Sequence, residues 1–315
     1  MRILAVMVVM AVAAVPPSHA ADLLRVGKAV PNAATMVPLE VAKQEGFFAK
    51  HGITAEIIDF GGGAKLHQAM AAGSLDLGVG AGTDLALIAK GSPELAVCNG
   101  AGPLLFIGVA VPANSPAKTL DDLKGRRIGV TSTTSLTYWL ALELARQRGW
   151  GPQGVTPVTI GGDAAADIAA LRTDQVDAAI VSTALAFQME ADGTGRLLAP
   201  VASFAGSLGG STIFATKTLI AKNPDAIRRF ILAWFDAVRF MRADRDRSIT
   251  IAAKMTGLPE PIEAREFDIT LPMFNLDGRF DADTLATLKR SFADLKLLDT
   301  PPDMAKLYTE EFLPK

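Results

Sequence analysis

The chain has 315 residues, half of them hydrophobic, with 31 Lys and Arg against 33 Asp and Glu for a formal charge of −2, and one cysteine, Cys98. Near-neutral charge without a basic stretch excludes a nucleic-acid binder, which needs a concentrated Lys/Arg surface, and a single cysteine excludes an intramolecular disulfide and any CxxC metal or redox motif. The apolar content is too high for a disordered chain, and a soluble chain of this length is expected to form two compact domains.

Arg2 opens a short positive start, residues 3–15 are uninterruptedly apolar, Pro16 and Pro17 break the run, and Ser18 and Ala20 place small residues where a signal peptidase reads. This predicts a secretory signal peptide over residues 1–20. As a helix the apolar run reaches about 20 Å, short of the roughly 30 Å hydrocarbon layer, which makes a spanning anchor the weaker reading. No cysteine follows the run, so a lipid anchor is not expected, and the mature chain is expected to be exported and soluble.

Beyond residue 20 the sequence repeats itself. Val26-Gly27-Lys28-Ala29 has its counterpart in Ile128-Gly129-Val130-Thr131, Gly46-Phe47 in Gly149-Trp150, and Leu75-Asp76-Leu77-Gly78-Val79 in Val176-Asp177-Ala178-Ala179-Ile180, each roughly a hundred residues later. In the first copy the patterns predict strands over 23–28, 53–60 and 76–80, alternating with helices over 37–50, 64–72 and 83–90. The second copy starts at Arg127 and carries helices near 135–147, 164–173 and 185–192. Such alternation predicts parallel strands with helices on both faces, hence two α/β domains. Cys98 falls on a further strand over 95–99, where a small buried hydrophobe is expected.

Pro103, Pro112 and Pro116 punctuate the passage into the second unit, and Gly206, Gly209 and Gly210 the return. A strand over 213–216 and a helical tail follow. Phe230, Ile231, Trp234, Phe235 and Val238 lie at helical spacing, which a packed core stripe requires. Two crossings between two lobes form a hinge. The boundaries read as residues 21–111 and 210–315 for the first lobe, with the tail packed on it, and 112–209 for the second.

In an open α/β sheet, ligands bind beyond the carboxyl ends of the strands, where helix N-termini converge. Six loops qualify: 31–35, 61–63, 81–84, 132–135, 161–163 and 182–183. Ser132, Thr133, Thr134 and Ser135 place four hydroxyls at a helix start, which suits an anion held by hydroxyls and amides, although ordinary capping needs one of them. Asp163 and Asp84 lie in first helical turns, where each either caps its helix or attracts the amine of a zwitterion. Lys28, at the end of the first strand, is a candidate ligand charge or a solvated lysine. Ser182 begins the last helix of the second copy.

No GxSxG elbow, Walker A loop, dinucleotide GxGxxG or HExxH occurs, and His51 and His67 have no partners at metal-ligand spacing in the sequence. No catalytic set, cofactor or metal is therefore expected.

Glu45-Gly46-Phe47-Phe48-Ala49-Lys50-His51-Gly52-Ile53, Phe60-Gly61-Gly62-Gly63, Ala72-Gly73-Ser74-Leu75-Asp76-Leu77-Gly78 and Asp121-Asp122-Leu123-Lys124-Gly125-Arg126-Arg127-Ile128-Gly129-Val130 occur in that order. In this the chain resembles solute-binding proteins of nitrate/sulfonate/taurine-type ABC importers, a superfamily that includes binders of the thiamine pyrimidine precursor. The resemblance implies a two-lobed periplasmic-binding-protein fold of type II that closes on a small solute and delivers it to an ABC permease and ATPase, as a periplasmic monomer. By position it implies ligand contacts at Asn32, Ala33, Thr35, Gly61, Gly62, Gly82, Thr83, Ser132, Thr133, Gly210 and Ser211. The loops lack the arginine that sulfonate and nitrate binders often use, which leaves the anion's identity open. Two rival readings are an enzyme related to the thiamine-pyrimidine synthases, whose cysteine-rich motif is missing here, and a ligand sensor without transport.

Overall fold

A computed structural model describes residues 21–133 and 135–315, so the predicted signal peptide and Thr134 lie outside the described residues. The first unit runs β1 (Asp22–Lys28), α1 (Val37–Gln44), α2 (Phe47–Lys50), β2 (Ile53–Asp59), α3 (Gly63–Ala71), β3 (Leu77–Gly80), α4 (Leu85–Ala89) and β4 (Glu94–Ala101). The second runs β5 (Ile107–Pro112), β6 (Arg127–Val130), α5 (Leu136–Gln147), β7 (Thr156–Thr159), α6 (Ala164–Arg172), β8 (Ala178–Ser182), α7 (Thr183–Ala191) and β9 (Gly195–Pro200). After the return come β10 (Ser211–Thr216), α8 (Lys217–Lys222), α9 (Pro224–Ala243), α10 (Arg245–Thr256), α11 (Glu260–Thr270) and α12 (Ala282–Asp294).

The strands form two five-stranded sheets, ordered β2-β1-β3-β10-β4 and β7-β6-β8-β5-β9. The two orders are the same pattern, with one strand in each sheet supplied by a crossing. The duplication extends to side chains. Asp76, at the foot of β3, accepts hydrogen bonds from the Arg25 backbone at 2.9 Å and its guanidinium at 2.8 Å, and Asp177 does the same for Arg127 at 2.8 and 3.0 Å.

The structure differs from the sequence reading at three points. The sheets are mixed: β10 runs antiparallel to β3 and β4, and β5 antiparallel to β8 and β9, because a strand entering from the other unit runs opposite to its hosts. Residues 107–111, read with the first lobe, pair within the second sheet as part of Ile107–Pro112, whose terminal Pro112 lies at a strand end, where a missing N–H is tolerated. The helix expected over 37–50 is two, parted at Gly46 with φ +74°.

Three apolar cores follow. One packs α1 and α2 against α9, where Phe48 stacks on Phe230 at 5.2 Å between centroids and the expected aromatic stripe is fully buried. A second lies under α6 and α7. The third joins both units: Leu66 and Phe214 of the first share it with Trp139 and Leu140 of the second, through Leu288 and Phe292 of α12. The tail therefore extends beyond the first lobe. Arg290 of α12 pairs with Glu143 of α5 at 3.0 Å, the Trp139 indole donates to Asp294 at 3.0 Å, and Arg265 of α11 lies 3.8 Å from the Phe187 ring centroid of α7.

Candidate functional site

In the first sheet the loops are stitched edge to edge. The Phe60 amide donates to the Lys28 carbonyl at 2.9 Å and the Gly62 amide to the Ala29 carbonyl at 2.8 Å, joining the loop after β1 to that after β2. The register that sets Lys28 beside Asp59 also pairs their charges at 3.0 Å, and the Lys28 ammonium donates to the Pro31 carbonyl at 3.2 Å. Lys28 is thus buried and engaged, and it ties the loop down where a bare ligand charge was a candidate. Asn32 is exposed, Ala33 half-buried, and buried Thr35 accepts at its carbonyl from Ser211 Oγ at 3.3 Å.

The return crossing packs onto the loop after β3. The Gly82 amide donates to the Gly209 carbonyl at 2.7 Å, and a Cβ on Gly82 would lie 2.1 Å from the Leu208 carbonyl oxygen. Gly82 is a contact between backbones, so its role is to let the crossing approach. Thr83 beside it is half-buried. Gly210 donates to the Gly102 carbonyl at 3.3 Å, which sets the two crossings side by side.

In the second sheet capping accounts for several candidates. Ser135 Oγ accepts from the Tyr138 and Ser132 amides at 3.3 and 3.2 Å, Asp163 from the Ala166 amide at 2.8 Å, and Ser182 from the Leu185 amide at 3.2 Å. Each satisfies a helix-start amide that has no partner within its helix. Among the described residues the side chains of Ser132 and Thr133 make no hydrogen bond, and a Cβ on Gly162 would lie 2.8 Å from Thr131 Cγ2, so these two loops adjoin. No hydrogen bond among the described residues links the first sheet's loops to those of the second.

Three groups escaped the sequence reading. Lys65, in the first turn of α3, folds back so that its ammonium lies 3.6 Å from where a Gly61 Cβ would stand. Gly62 gives that helix no side-chain cap. Lys65 makes no ion pair among the described residues, and the local signal for it was a lysine two residues after the glycine turn. His67 lies between Glu94 and Asp84, residues too far along the chain for a spacing rule. Glu266 of α11 is buried against Thr183, whose hydroxyl donates to it at 3.3 Å at the start of α7. Burial, then neighbouring Glu263, push its carboxyl up to about 7 against the pull of Thr183 and the Ala184 amide.

Among the described residues the arrangement offers the unengaged Ser132 and Thr133 hydroxyls and the Lys65 ammonium, which makes no ion pair, at the strand ends of two sheets, which suits holding a small polar solute. Known proteins share both sequence and fold with this chain. A relative from Brucella abortus, named only as a binding protein, is 31% identical over 217 residues, 68% of this chain and 66% of that one, so the chain spans just under two thirds of that relative. The taurine-binding periplasmic protein of Escherichia coli is 27% identical over 240 residues, 71% of each chain. The structure of the periplasmic aliphatic sulphonate binding protein SsuA from Escherichia coli superposes with a TM-score of 0.78 at 24% identity, covering 92% of both chains. The desulfurization enzyme DSZB shares the fold at a TM-score of 0.66 and 19% identity. The family model described as NMT1/THI5 like matches residues 33–248, most of the chain, and the protein belongs to that family.

Proposed function

We propose that the protein is the periplasmic solute-binding component of an ABC importer, taking one small anionic or zwitterionic solute of the sulfonate, taurine or nitrate type between two lobes and presenting it unchanged to a membrane permease and its ATPase. The observation that carries this reading is family membership on a chain whose two sheets are joined by two adjoining crossings, Gly102 beside Gly210. In this reading β1–β4 and β10 belong to one lobe and β5–β9 to the other, residues 1–20 direct export, and the carrier works as a monomer. Ser132, Thr133 and Lys65 supply donors to the anionic group, while Asn32 and the turn at Gly61 and Gly62 contact the rest. The relatives' names support a binder, and the shared fold with a desulfurization enzyme defines what must be tested.

The test is a thermal-shift and calorimetric screen of the mature chain against methanesulfonate, taurine, nitrate and a hydroxymethylpyrimidine, followed by chemical recovery of the solute. A solute that binds only the folded state raises the melting temperature. One anion binding at one site and recovered intact is expected. Turnover, or binding of the pyrimidine alone, would overturn the reading.

A further inference from the structure

Beneath the glycine turns of the first sheet lies an acid, base, acid row whose base and one acid are buried. His67 of α3 is 3% exposed and Glu94, at the start of β4, is fully buried. The imidazole Nδ1 is 2.6 Å from Glu94 Oε1, and Nε2 is 3.5 Å from Asp84 Oδ2 on the other side. The Phe214 ring of β10 closes the site edge-on at 4.7 Å between centroids. Asp84 and Glu94 are the charged groups facing His67.

Asp84 is where two candidate binding loops meet. Its Oδ2 accepts the Ala81 amide at 3.1 Å. Its carboxylate fills space that a side chain would take on either loop: a Cβ on Gly63 would lie 2.4 Å from Oδ1, and one on Gly80 would lie 2.5 Å from Oδ2. Both loops therefore close on one carboxylate, and His67 reaches that carboxylate from the core. The buried Glu94 carboxylate and the half-buried Asp84 carboxylate beside a neutral imidazole would leave negative charge uncompensated in a poorly polarisable interior, whereas an imidazolium offsets it.

Resting on the reading that these loops line the solute site, we infer that His67 is a positioning residue: a buried imidazolium, anchored by Glu94, that holds Asp84 and through it sets the turn at 61–63 and the loop at 81–84 in the geometry that meets the solute. Burial alone would lower the imidazole's affinity for its proton, but the negative charge of Asp84 and the hydrogen bond and charge of Glu94 outweigh it and raise the pKa to about 9. The row is therefore charged at neutral pH. A positioning role also accounts for the absence of side chains at Gly63 and Gly80, which simple helix packing does not require.

The experiment compares wild type, H67Q, which keeps one donor but no charge, and D84N, which keeps the shape. Hydrogen exchange of the Gly62, Ala81 and Gly82 amides in the ligand-free protein reads loop order without any solute. At least tenfold faster exchange there in H67Q and D84N, with β2 and the second sheet unchanged, is expected. Imidazole NMR should show His67 protonated up to about pH 9, and the methanesulfonate dissociation constant should rise at least fivefold in wild type as His67 loses its proton, with no such step in H67Q. Methanesulfonate carries no group that titrates in that range. Loop exchange unchanged in both variants, with only a lower melting temperature, would overturn the inference and leave a plain structural ion row. Loosened loops in a protein that binds none of the anions would support the positioning role and count against the proposed function instead.

Discussion

Lys65 occupies a position that helix electrostatics disfavours, since a cation in the first turn opposes the dipole of α3. Its use is better explained by a solute's negative charge than by the helix. Lys65→Ala should weaken methanesulfonate binding by about 1–3 kcal/mol, the scale of a hydrogen bond to a charged group, without lowering the melting temperature. Ser132→Ala with Thr133→Ala should cost a similar amount in calorimetry, because neither hydroxyl has a protein partner among the described residues to lose; unchanged affinity would remove them from the site. Glu266 titrates in the opposite sense from a salt-bridged carboxylate. Its pKa is raised from 4.5 to about 7, so its proton favours the folded state fully below about pH 4.5, and this contribution is lost as the pH rises through about 7. Glu266→Gln should therefore stabilise the protein by about 1–3 kcal/mol at pH 8 and flatten that part of the pH–stability curve, as chemical denaturation at several pH values would show.

At the scale of elements, the return crossing is the most tightly constrained segment near the site. The Leu208 carbonyl approaches the bare Cα of Gly82 so closely that any side chain must push the crossing away. Gly82→Ala should destabilise the fold by about 1–3 kcal/mol, the usual cost of overpacking, and should weaken solute binding as well, because the same loop continues into Thr83 and Asp84. A variant with wild-type stability and affinity would show the crossing to be free to move. The helix caps behave differently. Ser135, Asp163 and Ser182 each hold one helix-start amide, so alanine at these positions should cost stability, about 1 kcal/mol each, and leave affinity largely alone.

Across the whole molecule, the contacts between the two units among the described residues include the paired crossings, the contact of α11 with α7, and α12 against α5. The last two are built from the tail. Arg290 spans that interface, bonded to Glu143 and 5.6 Å from the Trp139 ring centroid. Arg146 and Arg290 hold the buried Glu143 carboxyl below its usual range despite its burial. Removing Arg290 leaves that acid short of a partner. Arg290→Ala should therefore enlarge the radius of gyration of the solute-free protein in small-angle scattering, while methanesulfonate should reduce it in wild type. An unchanged radius in the variant would mean that α12 does not hold the units together.

Much of this was legible in the sequence because it is local or repeated. Periodicity over a few residues marks strands and helices, and a second copy a hundred residues on marks the duplication; that it extends to the Arg25–Asp76 and Arg127–Asp177 pairs emerges only when the strands lie side by side. Loops at strand ends follow from that alternation, so Asn32, Gly61, Ser132 and Ser182 could be placed before any coordinates. Which of them cap and which remain free could not, because capping depends on where one hydroxyl points. The direction of β5 and β10 is set by the neighbours they insert between, and strand pairing leaves no mark on either strand alone. His67 reads as an isolated histidine until folding brings Glu94, 27 residues away, against it, and the tail reads as a first-lobe helix set until Asp294 meets Trp139 across 155 residues. By itself the sequence determined the elements, their duplication and the family. The tertiary structure alone decided which charges are engaged, which hydroxyls are free and what joins the two units, since burial and long-range contact arise only when distant segments share one core.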